Sequence, residues 1–153
     1  MNQAEIQHRN RVLRAYFLGR GWDRNNEFLL KRKLILCSSK ILPQYPYIVD
    51  DEWEVEASRT DKGRGDLVFT NGAGGYAVVE VKWIDLDGLG REGSTKRTSN
   101  RQKRRSVEQQ AIHYAAHFLA QWYEVESVNA YIFTNEADRP QLLTTLKKEL
   151  PPI

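Results

Sequence analysis

The sequence predicts an α/β domain in which four β-strands are set among helices, with an extra helical segment at the amino-terminal end. Three observations carry this. Apolar residues recur at helical spacing in the first 36 positions, the period drops to two between Trp53 and Trp83, and an amphipathic helix then separates that block from a short β-branched run at Val128–Phe133. The 153 residues suit a single domain over 1–153, with a core large enough to need no staple. At 41% hydrophobic and 28% charged, the balance is that of a globular chain.

The elements follow in order. Ile6, Val12, Leu13, Tyr16, Phe17 and Leu18 predict a helix over 3–18, stopped by Gly19 and Gly21. Asn25 or Asn26 caps a second helix through Leu36, and Pro43 with Pro46 closes this helical segment, 1–45. Trp53, Val55 and Ala57 alternate with Glu54, Glu56 and Ser58 as a half-buried strand. Asp66–Thr70 and Tyr76–Trp83 are two more, joined by the turn signal Asn71-Gly-Ala-Gly-Gly75. From 84 to 105 almost nothing apolar appears after Leu89, which predicts a flexible basic loop. Val107, Ala111, Tyr114, Ala115, Phe118, Leu119 and Trp122 then share one face of a helix over 106–123. Val128–Phe133 reads as a buried strand, and a last helix starts near Pro140 and carries Leu142, Leu143, Leu146 and Leu150.

Composition narrows the function classes. A lone Cys37 excludes an internal disulfide and a cysteine-rich zinc site. No leader pattern opens the sequence and no stretch nears the ~20 apolar residues of a membrane span. The expectation is an intracellular protein, cytoplasmic or nucleoid/nuclear, without a membrane partner. The net charge is only +3, yet residues 91–105 hold seven Lys/Arg against Glu92, which is +6 locally and leaves −3 for the rest. Such a block predicts a polyanionic partner, with Arg97, Arg101, Lys103, Arg104 and Arg105 closing over a phosphate backbone.

The hairpin carries the chemistry. Side chains on a strand alternate, so Tyr76, Val78, Glu80 and Lys82 share one face. A turn centred on Ala73 pairs Asp66 with residue 2 × 73 − 66 = 80, so two carboxylates face each other across strands. At a Cβ separation of ~4.5–5.5 Å like charges destabilise a sheet unless something neutralises them. A hard divalent cation, Mg²⁺ or Mn²⁺, would do so, with Lys82 beside it as a fixed positive charge. Such a group polarises a phosphoryl oxygen and acidifies bound water, which points to phosphodiester hydrolysis.

Asp66, a strand-turn-strand and then Glu80-Val81-Lys82 resemble the PD-(D/E)XK nuclease superfamily, over about two-thirds of the chain. The resemblance implies a restriction endonuclease-like core with a central mixed four-stranded sheet, metal ligation by Asp66 and Glu80 with the Val81 carbonyl, and a water oriented or activated by Lys82. Gln110-Ala-Ile-His-Tyr114 is similar to the Q-x-x-x-Y element of one subset of these nucleases, many of which process DNA ends; Gln110 and Tyr114, one turn apart, would support the site. Gly65 stands where the family often has Pro. The third acid is open among Glu5, Glu27, Glu54 and Glu56. The implied partner is nucleic acid, DNA rather than RNA, and a homodimer is compatible because many relatives act as dimers.

Other motifs fail on context. Gly88-Leu-Gly-Arg-Glu-Gly93 fits G-x-G-x-x-G, but residues 94–105 offer no apolar residue to dock a following helix on a sheet. Asp85-Leu-Asp-Gly88 lacks two of the oxygens a calcium loop needs, and His113 with His117 lacks a third zinc ligand. Arg64-Gly-Asp66 as an adhesion tripeptide does not suit a chain read as unsecreted. The competing class is a nucleic-acid-binding or assembly module without turnover, which has no need of facing carboxylates near an anionic backbone.

Overall fold

The computed structural model describes residues 1–51, 66–85, 93–121 and 124–148. It is an α/β fold: a five-stranded mixed sheet in the order β1-β2-β3-β4-β5, flanked by helices. α1 (Gln3–Gly19) begins where the Asn2 side chain accepts from the Glu5 N–H. α2 (Asn26–Leu36) is capped by Asn25, whose side chain accepts from the Phe28 N–H. A short α3 (Ser38–Ile41) leads into β1 (Tyr47–Asp51), then β2 (Asp66–Thr70) and β3 (Gly75–Lys82). α4 (Gly93–Gln121) crosses to β4 (Ser127–Thr134), which runs parallel to β3, and β5 (Gln141–Lys147) closes the sheet antiparallel to β4.

Strand alternation sorts the core into two layers. Leu67, Phe69, Ala77, Val79 and Val81 face α2, meeting Leu30, Leu34 and Ile35, with Phe17 of α1 in the same cluster. Val68, Tyr76, Val78, Val128 and Ala130 face α4, against Tyr114, Ala115 and Phe118. Farther along, Val107 and Ala111 of α4 lie over Ile132. α1 runs along the β1 edge and serves both layers, Ile6 in one and Phe17 in the other. Val12, Tyr16 and Leu18, expected in its core stripe, are 50%, 50% and 60% exposed, so α1 buries a narrower stripe than its composition suggests.

Three expectations are corrected. The sheet has five strands, not four. The strand β1 falls on residues to which the sequence reading assigned no element: Tyr47-Ile48-Val49 after Pro46 is an aromatic and β-branched run that the sheet recruits. The strand expected at 53–57 lies outside the described residues. The segment 84–105 is not a loop throughout, because α4 starts at Gly93. Lys, Arg and Gln are good helix formers, and a helix nucleated on the apolar face at 107–118 propagates through them without an apolar stripe of its own.

The final helix is the strand β5. Its pairing with β4 jumps from Ala130↔Thr144 to Tyr131↔Leu142, so Leu143 is an extra residue, a bulge. The bulge shifts the alternation by one and turns Leu143 and Leu146, three apart, toward the same α4-side cluster. A bulged strand thus imitates helical spacing.

Candidate catalytic site

The β2–β3 turn fixes the register on which the site depends. Gly72 (φ 82°) and Gly74 (φ 89°) occupy the left-handed region that L side chains avoid. The Asn71 Oδ1 accepts from the Ala73 N–H at 2.7 Å and the Gly75 N–H at 3.1 Å, and the Thr70 hydroxyl donates to the Gly75 carbonyl at 2.8 Å. The ladder that results pairs Thr70↔Tyr76, Val68↔Val78 and Asp66↔Glu80, as a turn centred on Ala73 requires. Positions 66 and 80 are therefore direct cross-strand neighbours on the α4 face.

Glu80 is 4% exposed, with Val78 before it on its face and Ile132 beside it in the parallel ladder. A carboxylate so buried is costly unless charge or hydrogen bonds offset desolvation. A further buried acid joins the same face: Asp50, 6% exposed, pairs with Val68, two residues along β2 from Asp66. Arg9 Nη1 of α1 lies 3.8 Å from its Oδ2. Sequence reasoning missed Asp50; the signal was a β-branched run ending in two acids.

Lys82, the last residue of β3, should by alternation share the Glu80 face. Its Nζ is held 3.0 Å from the Glu27 carboxylate, on the first turn of α2, a helix packed on the other face. The long stem carries the ammonium round the end of the strand. Beside this pair Lys31 meets Asp51 at 3.9 Å. Of the four candidate third acids, Glu27 joins the site through Lys82. Glu5 bonds Arg9 at 3.2 Å, the same arginine that approaches Asp50, and lies near Tyr76 at the turn end of β3; Glu54 and Glu56 lie outside the described residues. The Val81 side chain is buried in the α2-side cluster, and its partner in the ladder is Phe133.

Tyr114 is buried in the α4-side cluster with Tyr76 and Val78, whereas Gln110, one turn earlier, is exposed. The two neighbours thus divide, one under the sheet face and one at its rim. Below them Arg104 forks onto Glu136, just past β4, with Nε–Oε1 at 2.7 Å; this keeps the guanidinium pKa raised. Arg101 and Arg105 are exposed and Lys103 half-exposed; the Arg97 side chain lies outside the described residues. α4 spans about 43 Å at 1.5 Å per residue, and among its described side chains those packed on the sheet begin at Val107. The basic half therefore runs out past the strand ends that bear Glu80 and Lys82.

The two parallel strands β3 and β4 end together, clasped where the Ile84 N–H donates to the Asn135 Oδ1 at 2.7 Å and the Asn135 Nδ2 donates to the Ile84 carbonyl at 2.8 Å. Crevices outside the carboxyl ends of parallel strands are where open α/β sheets bind ligands. No group of three or more His, Cys, Asp or Glu that could hold a metal gathers among the described side chains, which do not include that of Asp66. The ladder sets positions 66 and 80 side by side, with the Val81 carbonyl next in sequence; these are the residues that could hold a small divalent cation. His113 and His117 are both exposed. No helix among the described residues is long and apolar enough to cross a membrane.

Compared with family models, with curated proteins and with solved structures, the chain matches none of them.

Proposed function

We propose that this chain is a metal-dependent nuclease that hydrolyses phosphodiester bonds of nucleic acid, DNA rather than RNA, on a restriction endonuclease-like core. One observation carries the reading: Asp66 and Glu80 pair directly across the β2–β3 ladder, with Lys82 two residues on at the same sheet end. The hairpin followed by a helical crossover to a parallel strand supports the core assignment.

In this reading Asp66 and Glu80, with the Val81 carbonyl, would hold Mg²⁺ or Mn²⁺. The bound ion would polarise a phosphoryl oxygen and lower the pKa of a coordinated water. Glu27 keeps the Lys82 ammonium localised at the mouth of the site, from which it neutralises charge growing on the phosphorus or orients the attacking water. Tyr114 packs the floor and Gln110 stands at the rim. Arg97, Arg101, Lys103 and Arg105 on the projecting half of α4, with Arg104 shared with Glu136, hold the backbone of the polymer.

The test is incubation with labelled single-stranded, duplex, branched and RNA substrates, with Mn²⁺ or chelator, comparing the protein with Asp66→Ala. Metal-dependent cleavage lost in the variant is expected; cleavage by the variant at the parental rate refutes the assignment. A second reading, a nucleic-acid-binding module without turnover, draws on the Lys82–Glu27 pair, in which the lysine is engaged away from Glu80. Binding without cleavage of any substrate would favour it.

A further inference from the structure

Where α1 turns into α2, a cleft of about 470 Å³ opens, lined by Tyr16, Phe17, Arg20, Glu27, Phe28 and Lys31 among others. That is the volume of an ordinary small-ligand site. It adjoins the candidate catalytic site, because Glu27 both lines it and binds Lys82.

The floor is aromatic: Phe17 and Phe28 stack with ring centres 5.2 Å apart and 12° between planes, and Tyr16 meets Phe17 edge-on at 5.3 Å. Arg20 sits among the rings, its guanidinium 5.0 Å from the Phe28 centroid, 5.1 Å from Trp22 and 5.5 Å from Tyr16. It is anchored by donating to the Tyr16 hydroxyl at 2.6 Å and to Asp23 at 2.8 Å. Its buried Nε–H has no hydrogen-bond acceptor among the described residues, so the guanidinium is held by one ion pair, one hydroxyl and the faces of the rings.

Trp22 is the exposed member. It is 70% exposed and Tyr16 50%, so the indole is ordered by the cation on one side while most of its surface meets water. A large aromatic surface left open beside a cleft marks a binding site. Charge indicates what binds there: residues 20–33 hold five Lys/Arg against two acids, and Arg24 and Lys33 are exposed. Aromatic faces interleaved with cations suit unpaired bases on a phosphate backbone, since every base has a π-face.

We propose that Trp22, Tyr16 and Arg20 form a stacking subsite for an unpaired nucleobase, so that the substrate carries single-stranded nucleic acid next to the scissile phosphate. The identity of the polymer rests on the hydrolysis reading; the contact itself does not need turnover.

The test measures binding of a short labelled single-stranded oligodeoxynucleotide, and of the blunt duplex of the same sequence, by anisotropy in chelator. Trp22 lies at the surface, so Trp22→Ala is expected to fold, which circular dichroism checks, and Trp22→Phe keeps a ring. Trp22→Ala should weaken single-strand binding about 5- to 150-fold, the range for removing one stacked base contact. Trp22→Phe should restore most of it, and duplex affinity should not change. Unchanged single-strand affinity, or an equal loss on both probes, overturns the subsite. Trp22-dependent binding by a protein that cleaves nothing with Mg²⁺ or Mn²⁺ upholds the subsite and removes the hydrolysis reading. Cleavage by Trp22→Ala at the parental rate on every substrate does the reverse.

Discussion

The two ends of the β2–β3 hairpin are built on opposite principles. At the turn end, Thr70, Asn71 and Gly75 satisfy one another over a few residues, and Val128 beside Tyr76 seals the layer. Toward the open end, six segments carry the charged positions: Asp50 on β1, Asp66 on β2, Glu80 and Lys82 on β3, Glu27 on α2, Arg104 on α4 and Glu136 beyond β4. The first end is closed by hydrogen bonds within a few residues; the second is held by long-range contacts among groups that are costly to bury. The contrast shows a division of labour, in which the turn sets a register and the register pairs position 66 with position 80. A slip by one residue would flip Glu80 to the other face.

The strongest way to break that contrast is at the open end. Lys82→Ala should lower cleavage by about 10²–10³-fold, as for loss of one transition-state charge partner, while the melting temperature hardly moves, because the ammonium is a third exposed. Single-turnover kinetics with calorimetry reads both, and retained turnover rejects the role. Next comes the clasp. Asn135→Ala removes both hydrogen bonds to Ile84 and should cost about 2 kcal/mol in urea unfolding, at roughly 1 kcal/mol each.

At the turn end, Gly74→Ala forces an L side chain to φ 89° and sets its Cβ 3.0 Å from the Glu126 Cδ. A destabilisation of about 1–2 kcal/mol is expected, together with a loss of cleavage if register reaches the site. Full activity at equal folded fraction would show that the two ends are independent. Glu27→Gln should change stability by less than about 1 kcal/mol, the range of exposed pairs, but broaden the Lys82 ammonium resonance in NMR; an unaltered resonance would mean Glu27 does not hold the lysine.

The smallest effect lies at the α1–α2 turn. Asp23 accepts the Asn25 N–H and, second, the Arg20 guanidinium, which together hold its pKa below the ordinary 3.8. A depressed carboxylate pKa contributes stability above the unfolded value and loses it as pH falls through the folded one. The Trp22 indole N–H signal should therefore hold steady down to the ordinary carboxylate range and shift only below it. In Asp23→Asn that acid-side shift should vanish.

Much of this was legible in the sequence, for identifiable reasons. The boundaries of β2, the cap of α2 and the pairing Asp66↔Glu80 follow from local chemistry, since glycines with positive φ and Asn71 leave few ways to close the turn. The buried face of α4 followed from its period. β5 was misread because a bulge set Leu143 and Leu146 on one face, and β1 went unassigned because only three strand-forming residues, Tyr47–Val49, follow the prolines. Glu27 stayed one of four options because its tie to Lys82 spans 55 positions and depends on how α2 seats on the sheet. Trp22 gave no sequence signal, since an exposed and a buried indole look alike until the fold is known.

By itself the sequence determined the hairpin, its register and so the pairing of positions 66 and 80: these need only alternation and a turn, which act over a few residues. The tertiary structure alone decided which acid holds Lys82, that Asp50 shares the carboxylate face, that the basic segment from Gly93 on is a projecting helix, and that Trp22 stands open beside Arg20. Those outcomes depend on how layers pack and where helices extend beyond the sheet, which local propensity does not encode.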